Sequence, residues 1–355
     1  MSMDICAEIK GIKYKPLCVK PLTCYNIDRL DKALSERANF ILKINNKNEI
    51  AISWWVSPKR TRSYPYARVY ETLGFVGKKV TIIPIIKDEG KDGDRDFIQW
   101  DTISLMSLLG VYVIIGYYVK ANKNPNYRNK ITNQKFDTEY IKNEIQRLLS
   151  YQSDALHWNL EQIDKIFEIA NRAFSFYEKI SKELGVEMHS MESAKRRIEG
   201  LYKGKETFMQ FSRELAHKAQ RRESITTQPK EYLTGTKATI TIKNYLGGYY
   251  YFTCDEVEIH GDEIYLIEAK HTKSSTLPSE GDIKDGLIKM ILFTNLENIS
   301  FNGCEFRPIP VLKLTTTNEF IENLLSKSER EFLNLLKKEA ETNGFRIKIN
   351  NEFFV

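Results

Sequence analysis

Residues 249–273, YYYFTCDEVEIHGDEIYLIEAKHTK, constrain the fold more than any other stretch of the chain. Two runs rich in Tyr, Phe, Val and Ile flank His260-Gly261-Asp262-Glu263, and glycine at the first central position is what a tight II′ turn requires. The expected element is a β-hairpin whose turn sets the register: Ile259 opposite Ile264, Val257 opposite Leu266, Asp255 opposite Glu268. Side chains alternate along a strand, so Asp255, Val257 and Ile259 share a face with Ile264, Leu266, Glu268 and Lys270. Glu256 and Glu258 point the other way.

Carboxylates directly across a strand pair repel each other, so a purely structural hairpin should avoid them and a positive charge is expected between them. Oxygen ligands at the end of an apolar stripe suit a hard divalent cation such as Mg²⁺, held partly by protein and partly by water and substrate phosphate. Lys270, two residues past Glu268 on the same face, is expected beside that ion, to orient or deprotonate a water or to stabilise charge on a phosphorus-centred transition state.

Asp255, the short hairpin, and Glu268-Ala269-Lys270 preceded by Ile264-Tyr265-Leu266-Ile267 together resemble the PD-(D/E)XK nuclease motif. Cys254 stands where the family has proline, at a position that does no chemistry. At the level of element order the resemblance covers the last part of the chain; at the level of motif it covers the hairpin alone. It implies a restriction-endonuclease-like α-β-β-β-α-β core over residues 206–355, with Asp255 and Glu268 as Mg²⁺ ligands and Lys270 as a catalytic residue. Glu214, on an expected helix over 208–222, resembles the additional helix-borne acid with which some members bind metal or organise the site.

The order of elements around the motif agrees with that core. Alternating Ala238, Ile240 and Ile242 supply a first strand before Gly247-Gly248, and the hairpin supplies two more. Ser279 and Asp282 form a Ser-x-x-Asp capping pattern for a helix running to about Thr294 that buries Ile283, Leu287, Met290 and Ile291. Lys284 and Lys289 on that helix either approach a phosphate or form its solvated side. A strand over 307–314, a helix over about 318–342 and a strand over 345–349 complete the chain.

Ahead of this part, residues 1–133 read as an N-terminal α/β region that is a candidate for DNA recognition. The first thirty-odd residues, with Pro16, Pro21 and three cysteines, show no periodicity and read as irregular. Residues 39–44 and 50–56 make a second hairpin, and 79–86, 97–109 and 111–118 read as strand, helix and strand of a β-α-β unit with a parallel pair. The segment Ser57-Pro58-Lys59-Arg60-Thr61-Arg62-Ser63-Tyr64-Pro65-Tyr66-Ala67-Arg68 is basic and interleaved with aromatics. Lys59, Arg60, Arg62 and Tyr64 are therefore candidates for contacts with phosphates and bases, the alternative being a solvated loop anchored by its tyrosines.

The acidic run 88–96 fails the EF-hand pattern, because Phe97 stands where glycine is needed and Ile103 where the closing Glu belongs. It is either a solvated connection, or a second metal site or other functional loop. The polar stretch 121–133 marks an expected boundary, and residues 134–205 read as a helical connector or a dimer surface, with a stop at Gly185.

The run from Pro58 to Tyr118 also looks like front-half segments of bacterial restriction endonucleases, without assigning any of its residues a role. The combined resemblance implies a type II enzyme cutting double-stranded DNA as a homodimer at a short symmetric site, with a cognate DNA methyltransferase as its functional partner. Rival expectations are a structure-specific nuclease of the same superfamily, used in repair, recombination or transposition, and a non-enzymatic DNA-binding protein whose hairpin acids are structural. A net charge of +6 is compatible with holding a polyanion around an acidic site. No apolar run is long enough for a membrane span and no leader is evident, so the chain reads as cytoplasmic, and five cysteines without a C-x-x-C pair read as reduced thiols.

Overall fold

Alternation along the hairpin organises the larger of the sheets. The computed structural model describes residues 3–202, 236–244 and 249–354, and its strands Tyr249–His260 and Glu263–Thr272 pair antiparallel with Val257 opposite Leu266 and Ile259 opposite Ile264. Gly261 has φ 63°, the left-handed value that the tight turn demands and that glycine adopts without strain. The ladder ends at Glu256–Ile267, one pair short of Asp255. There the Asp255 side chain, rather than its backbone, accepts the Ala269 N–H at 3.0 Å, so the strands part at the acids.

The chain divides into two units, Met1–Lys20 with Arg213–Val355, and Pro21–Ser212. Both are mixed α/β. The first contains a nine-stranded sheet in the order Cys304–Glu305, Glu297–Phe301, Met3–Ile9, Thr236–Asn244, Tyr249–His260, Glu263–Thr272, Arg307–Thr316, Arg346–Ile349, Glu352–Phe353. Thr236–Asn244 and the hairpin form an antiparallel meander. Glu263–Thr272 and Arg307–Thr316 are parallel, which requires a crossover, and the helix Glu280–Phe293 provides it. Its start matches the sequence pattern, because the Ser279 side chain accepts the Asp282 N–H.

Several expectations need correction. The first residues are not irregular throughout: Met3–Ile9 is a strand, parallel to Thr236–Asn244 and antiparallel to Glu297–Phe301, with Ile5, Ala7 and Ile9 buried. Proline and cysteine content hid an alternation whose partners are far away in sequence. The helix expected from residue 318 starts at Lys327, where Ser326 and Glu329 form a reciprocal capping box, and 318–326 contains only a single 3-10 turn. The helix Glu280–Phe293 has no solvated lysine side. Lys284 and Lys289 are 2 % and 3 % exposed, on a helix whose residues from Ile283 to Phe293 are buried apart from Asp285. Phe208–Arg222, Glu214 and Gly247-Gly248 lie outside the described residues.

In the second unit the strands Cys24–Asn26, Asn39–Lys43, Glu49–Trp54, Lys79–Pro84 and Val111–Gly116 form a five-stranded sheet in that order. Asn39–Lys43 and Glu49–Trp54 are the expected hairpin, and Lys79–Pro84 and Val111–Gly116 the expected parallel pair joined through Trp100–Leu108. The helix starts later than residue 97 because Arg95–Phe97 pairs with Ile86–Asp88. The polar stretch 121–133 is no boundary: Tyr118–Lys123 and Ile131–Phe136 form a twisted hairpin within the unit. The helices Thr138–Ser150, Ala155–Asp164, Ile166–Leu184 and Met191–Tyr202 belong to this unit rather than to a separate connector, and Ile166–Leu184 ends at Gly185 with φ 58°.

Candidate active site

The face carrying Asp255 and Glu268 meets the helix Glu280–Phe293, which contributes two further charges one turn apart, Asp285 and Lys289. Glu268 is 2 % exposed and has an ammonium group on each oxygen: Lys270 at 2.9 Å from Oε1, and Lys289 hydrogen-bonded to Oε2. Lys289 also donates to the Thr253 carbonyl at 3.1 Å. Lys270 reaches Asp285 at 3.1 Å. Asp255 lies within hydrogen-bonding reach of Glu268 and in the field of Lys289 and Lys270. The three residues expected to act together, Asp255, Glu268 and Lys270, are therefore gathered, with Asp285 and Lys289 closing the cluster.

Opposite fates of the two acids follow from these contacts. Burial, and then the Glu268 charge, push the Asp255 carboxyl up from 3.8 to about 7. Burial works against Glu268 too, but Lys270 and Lys289 outweigh it and hold that group down at about 2. Lys270 is desolvated as well, yet Glu268 and Asp285 raise it above the ordinary lysine value, so its ammonium form dominates at neutral pH. It suits the work of a charge-stabilising donor rather than of a general base.

Close packing fixes the lysine. A Cβ on Gly286 would stand 2.8 Å from Leu312 Cδ1 and 3.1 Å from Lys270 Cε, so a larger residue there would push against Leu312 and the Lys270 stem. On the opposite face Glu256 and Lys313, both buried, pair at 2.8 Å, which accounts for a lysine within the apolar run Pro308 to Leu314. Cys254, beside Asp255, is a buried thiol whose pKa is raised first by desolvation and then by the Asp255 charge.

The donor set fits a hard divalent cation. Among the described residues no three His, Cys, Asp or Glu side chains converge on a metal position. Asp255 and Glu268 would supply two carboxylates, leaving the other positions to water and substrate oxygens, as Mg²⁺ prefers. Comparison with protein-family models, with curated proteins and with solved structures gives no match. The site has to be judged on its own chemistry.

Other sequence candidates fall elsewhere. Lys284 donates to Glu280 at 3.3 Å and sits over the Phe332 ring at 5.5 Å, so burial removes it from the surface where a nucleic acid would be met. Lys59, Arg60, Arg62 and Tyr64 belong to the second unit. Lys59 and Tyr64 are exposed, and Arg60 lies 5.9 Å from the Tyr66 ring centroid. Arg62 pairs with Glu89 at 2.7 Å, with Asp96 at 3.2 Å and with Asp94. Arg62 is thus turned onto the acidic run, which was read separately from sequence. Asp285 and Gly286 were not singled out by sequence reasoning. The available signals were an acid four residues before Lys289 and a glycine in a helix interior, where it costs stability unless something approaches closely.

Proposed function

We propose that the unit built from the two chain ends is a Mg²⁺-dependent phosphodiesterase of the PD-(D/E)XK type. On this reading the protein is a type II restriction endonuclease hydrolysing double-stranded DNA. The observation that carries the proposal is the meeting of Asp255, Glu268 and Lys270 at the place where two paired strands part. The helix-crossed parallel pair after the meander supports the α-β-β-β-α-β core, whose first helix falls outside the described residues.

Asp255 and Glu268 would hold the ion, with Glu214 a further candidate. When bound, Mg²⁺ supplies Lewis-acid polarisation of the phosphate and a water of lowered pKa. Lys270, kept charged by Glu268 and Asp285, donates toward the negative charge that builds on the phosphate oxygens. Asp285 and Gly286 position that ammonium group. A homodimer matched to a symmetric site, a cytoplasmic location and a companion methyltransferase complete the proposal. Among the described residues no helix is long and apolar enough to cross a membrane.

One observation favours a second reading, in which the acids are a structural ion-pair network of a DNA-binding protein: Glu268 has lysines on both oxygens. Digestion of a defined plasmid with and without Mg²⁺, with fragment ends sequenced, separates the readings. Discrete metal-dependent fragments are expected; a smear or junction preference indicates another nuclease of the superfamily, and intact DNA indicates the structural network. Glu268→Ala should lower cleavage by at least about a thousandfold while leaving much of the DNA affinity. Cleavage at the parent rate in that variant would end the assignment.

A further inference from the structure

Lys289 is the unexpected member of the cluster. It is 3 % exposed, and its ammonium group is satisfied by Glu268 Oε2 and by the Thr253 carbonyl at 3.1 Å. A buried lysine persists only where a counter-charge meets it, and here that counter-charge is one of the two acids proposed to hold metal. Charges in the cluster nearly cancel: Asp255, Glu268 and Asp285 stand against Lys270 and Lys289. If Lys289 were neutral, the same site would carry one more uncompensated negative charge.

We propose that Lys289 is a positioning residue that serves as a built-in substitute for the divalent cation, holding Glu268 in place while metal is absent and competing with metal for Glu268 Oε2. This inference rests on the metal-binding reading of the site above. It makes metal affinity a difference between two cations contending for one oxygen, and it sets a threshold of metal concentration below which the site stays closed. Lys270 does not serve the same purpose, because it is shared with Asp285 and meets the other oxygen of Glu268. A merely structural lysine would behave in the opposite way, since its loss would disturb Glu268 and weaken metal binding.

The test is calorimetric titration of the full chain with Mg²⁺ and with Mn²⁺ alone, without DNA, for the parent, Lys289→Met, Lys289→Gln and Lys289→Arg. Removing the ammonium charge should tighten binding about tenfold or more, given the size of a charge interaction at this distance in a protein interior. Lys289→Arg should stay near the parent. Thermal melts run alongside, and both uncharged variants should melt lower than the parent without metal and gain more from Mg²⁺. Lys289→Gln keeps hydrogen-bonding capacity, so it serves if Lys289→Met does not fold. Unchanged or weaker metal binding in a folded, uncharged variant overturns this inference and leaves the nuclease reading standing. Absence of metal binding in the parent and in every folded variant removes both.

Discussion

Asp255 is the residue at which the site's chemistry becomes measurable. Its carboxyl titrates at about 7 in the folded chain against an ordinary 3.8, so folding binds that proton more tightly than the unfolded chain does. A raised pKa contributes stability that is complete below the unfolded value and is lost as pH rises through the folded one. Glu268 acts in reverse, contributing above its ordinary 4.5 and losing that contribution as pH falls through about 2. Without divalent metal, stability should therefore fall between about pH 4 and pH 7, and Asp255 should be the cause. Asp255→Asn removes the buried charge and should stabilise the metal-free protein near pH 8 by on the order of a few kcal/mol, with the difference vanishing near pH 4. Melting curves across that range decide it: a parallel pH dependence in parent and variant would show that Asp255 is not the group responsible. On the proposed metal-binding reading the order should reverse in Mg²⁺, because the variant would lack one of the two carboxylates proposed to hold the ion.

Among the elements, the strand Val111–Gly116 is one edge of its sheet, and side chains of a helix bond to it. Asn159 is fully buried on Ala155–Asp164, accepting the Val113 N–H at 2.7 Å and donating to the Val111 carbonyl at 3.0 Å, as a neighbouring strand would. Gln162 accepts the Ile115 N–H at 3.2 Å, and Trp158 Nε1 donates to the Val113 carbonyl at 2.7 Å. Asn159→Ala leaves a buried N–H and a buried C=O without these partners and should cost about 2–4 kcal/mol in a denaturant titration. A loss below half a kilocalorie would mean that water takes over the edge. Which elements were legible in sequence depended on how local their cause is. The hairpin around Gly261 and the start at Ser279 were readable because the turn and the cap are written within a few residues. For the helix Lys327–Asn343 the signal that marks its start is the capping pair Ser326 and Glu329. The burial of Lys284 was unreadable because it depends in part on Phe332, on another helix.

At the scale of the molecule, one unit takes both ends of the chain. Besides the strand Met3–Ile9, the segment that follows is held by Glu339, a fully buried carboxylate accepting from Leu17 N at 2.8 Å, Cys18 N at 2.7 Å and the Tyr14 hydroxyl at 2.7 Å. Deleting residues 1–20 exposes the apolar surface against Ile5 and Ile9 and strips a buried charge of three donors. The loss should be at least about 5 kcal/mol, enough to prevent that unit from folding. Soluble expression and far-ultraviolet circular dichroism of the truncated chain test this; a truncated protein melting like the parent would contradict it. The motif was legible because its residues are close in sequence, whereas the strand beside Thr236–Asn244 was not, because nothing local marks a partner so distant.

The same closure dictates when the site can come into being. Met3–Ile9 emerges from the ribosome long before the strands on either side of it, and it must stay unpaired through the translation of all that lies between. Half-made chains can complete the sheet of Pro21–Ser212, but they lack the strand, hairpin and helix that gather Asp255, Glu268 and Lys270. For a protein proposed to cut DNA, a nascent fragment is thereby harmless.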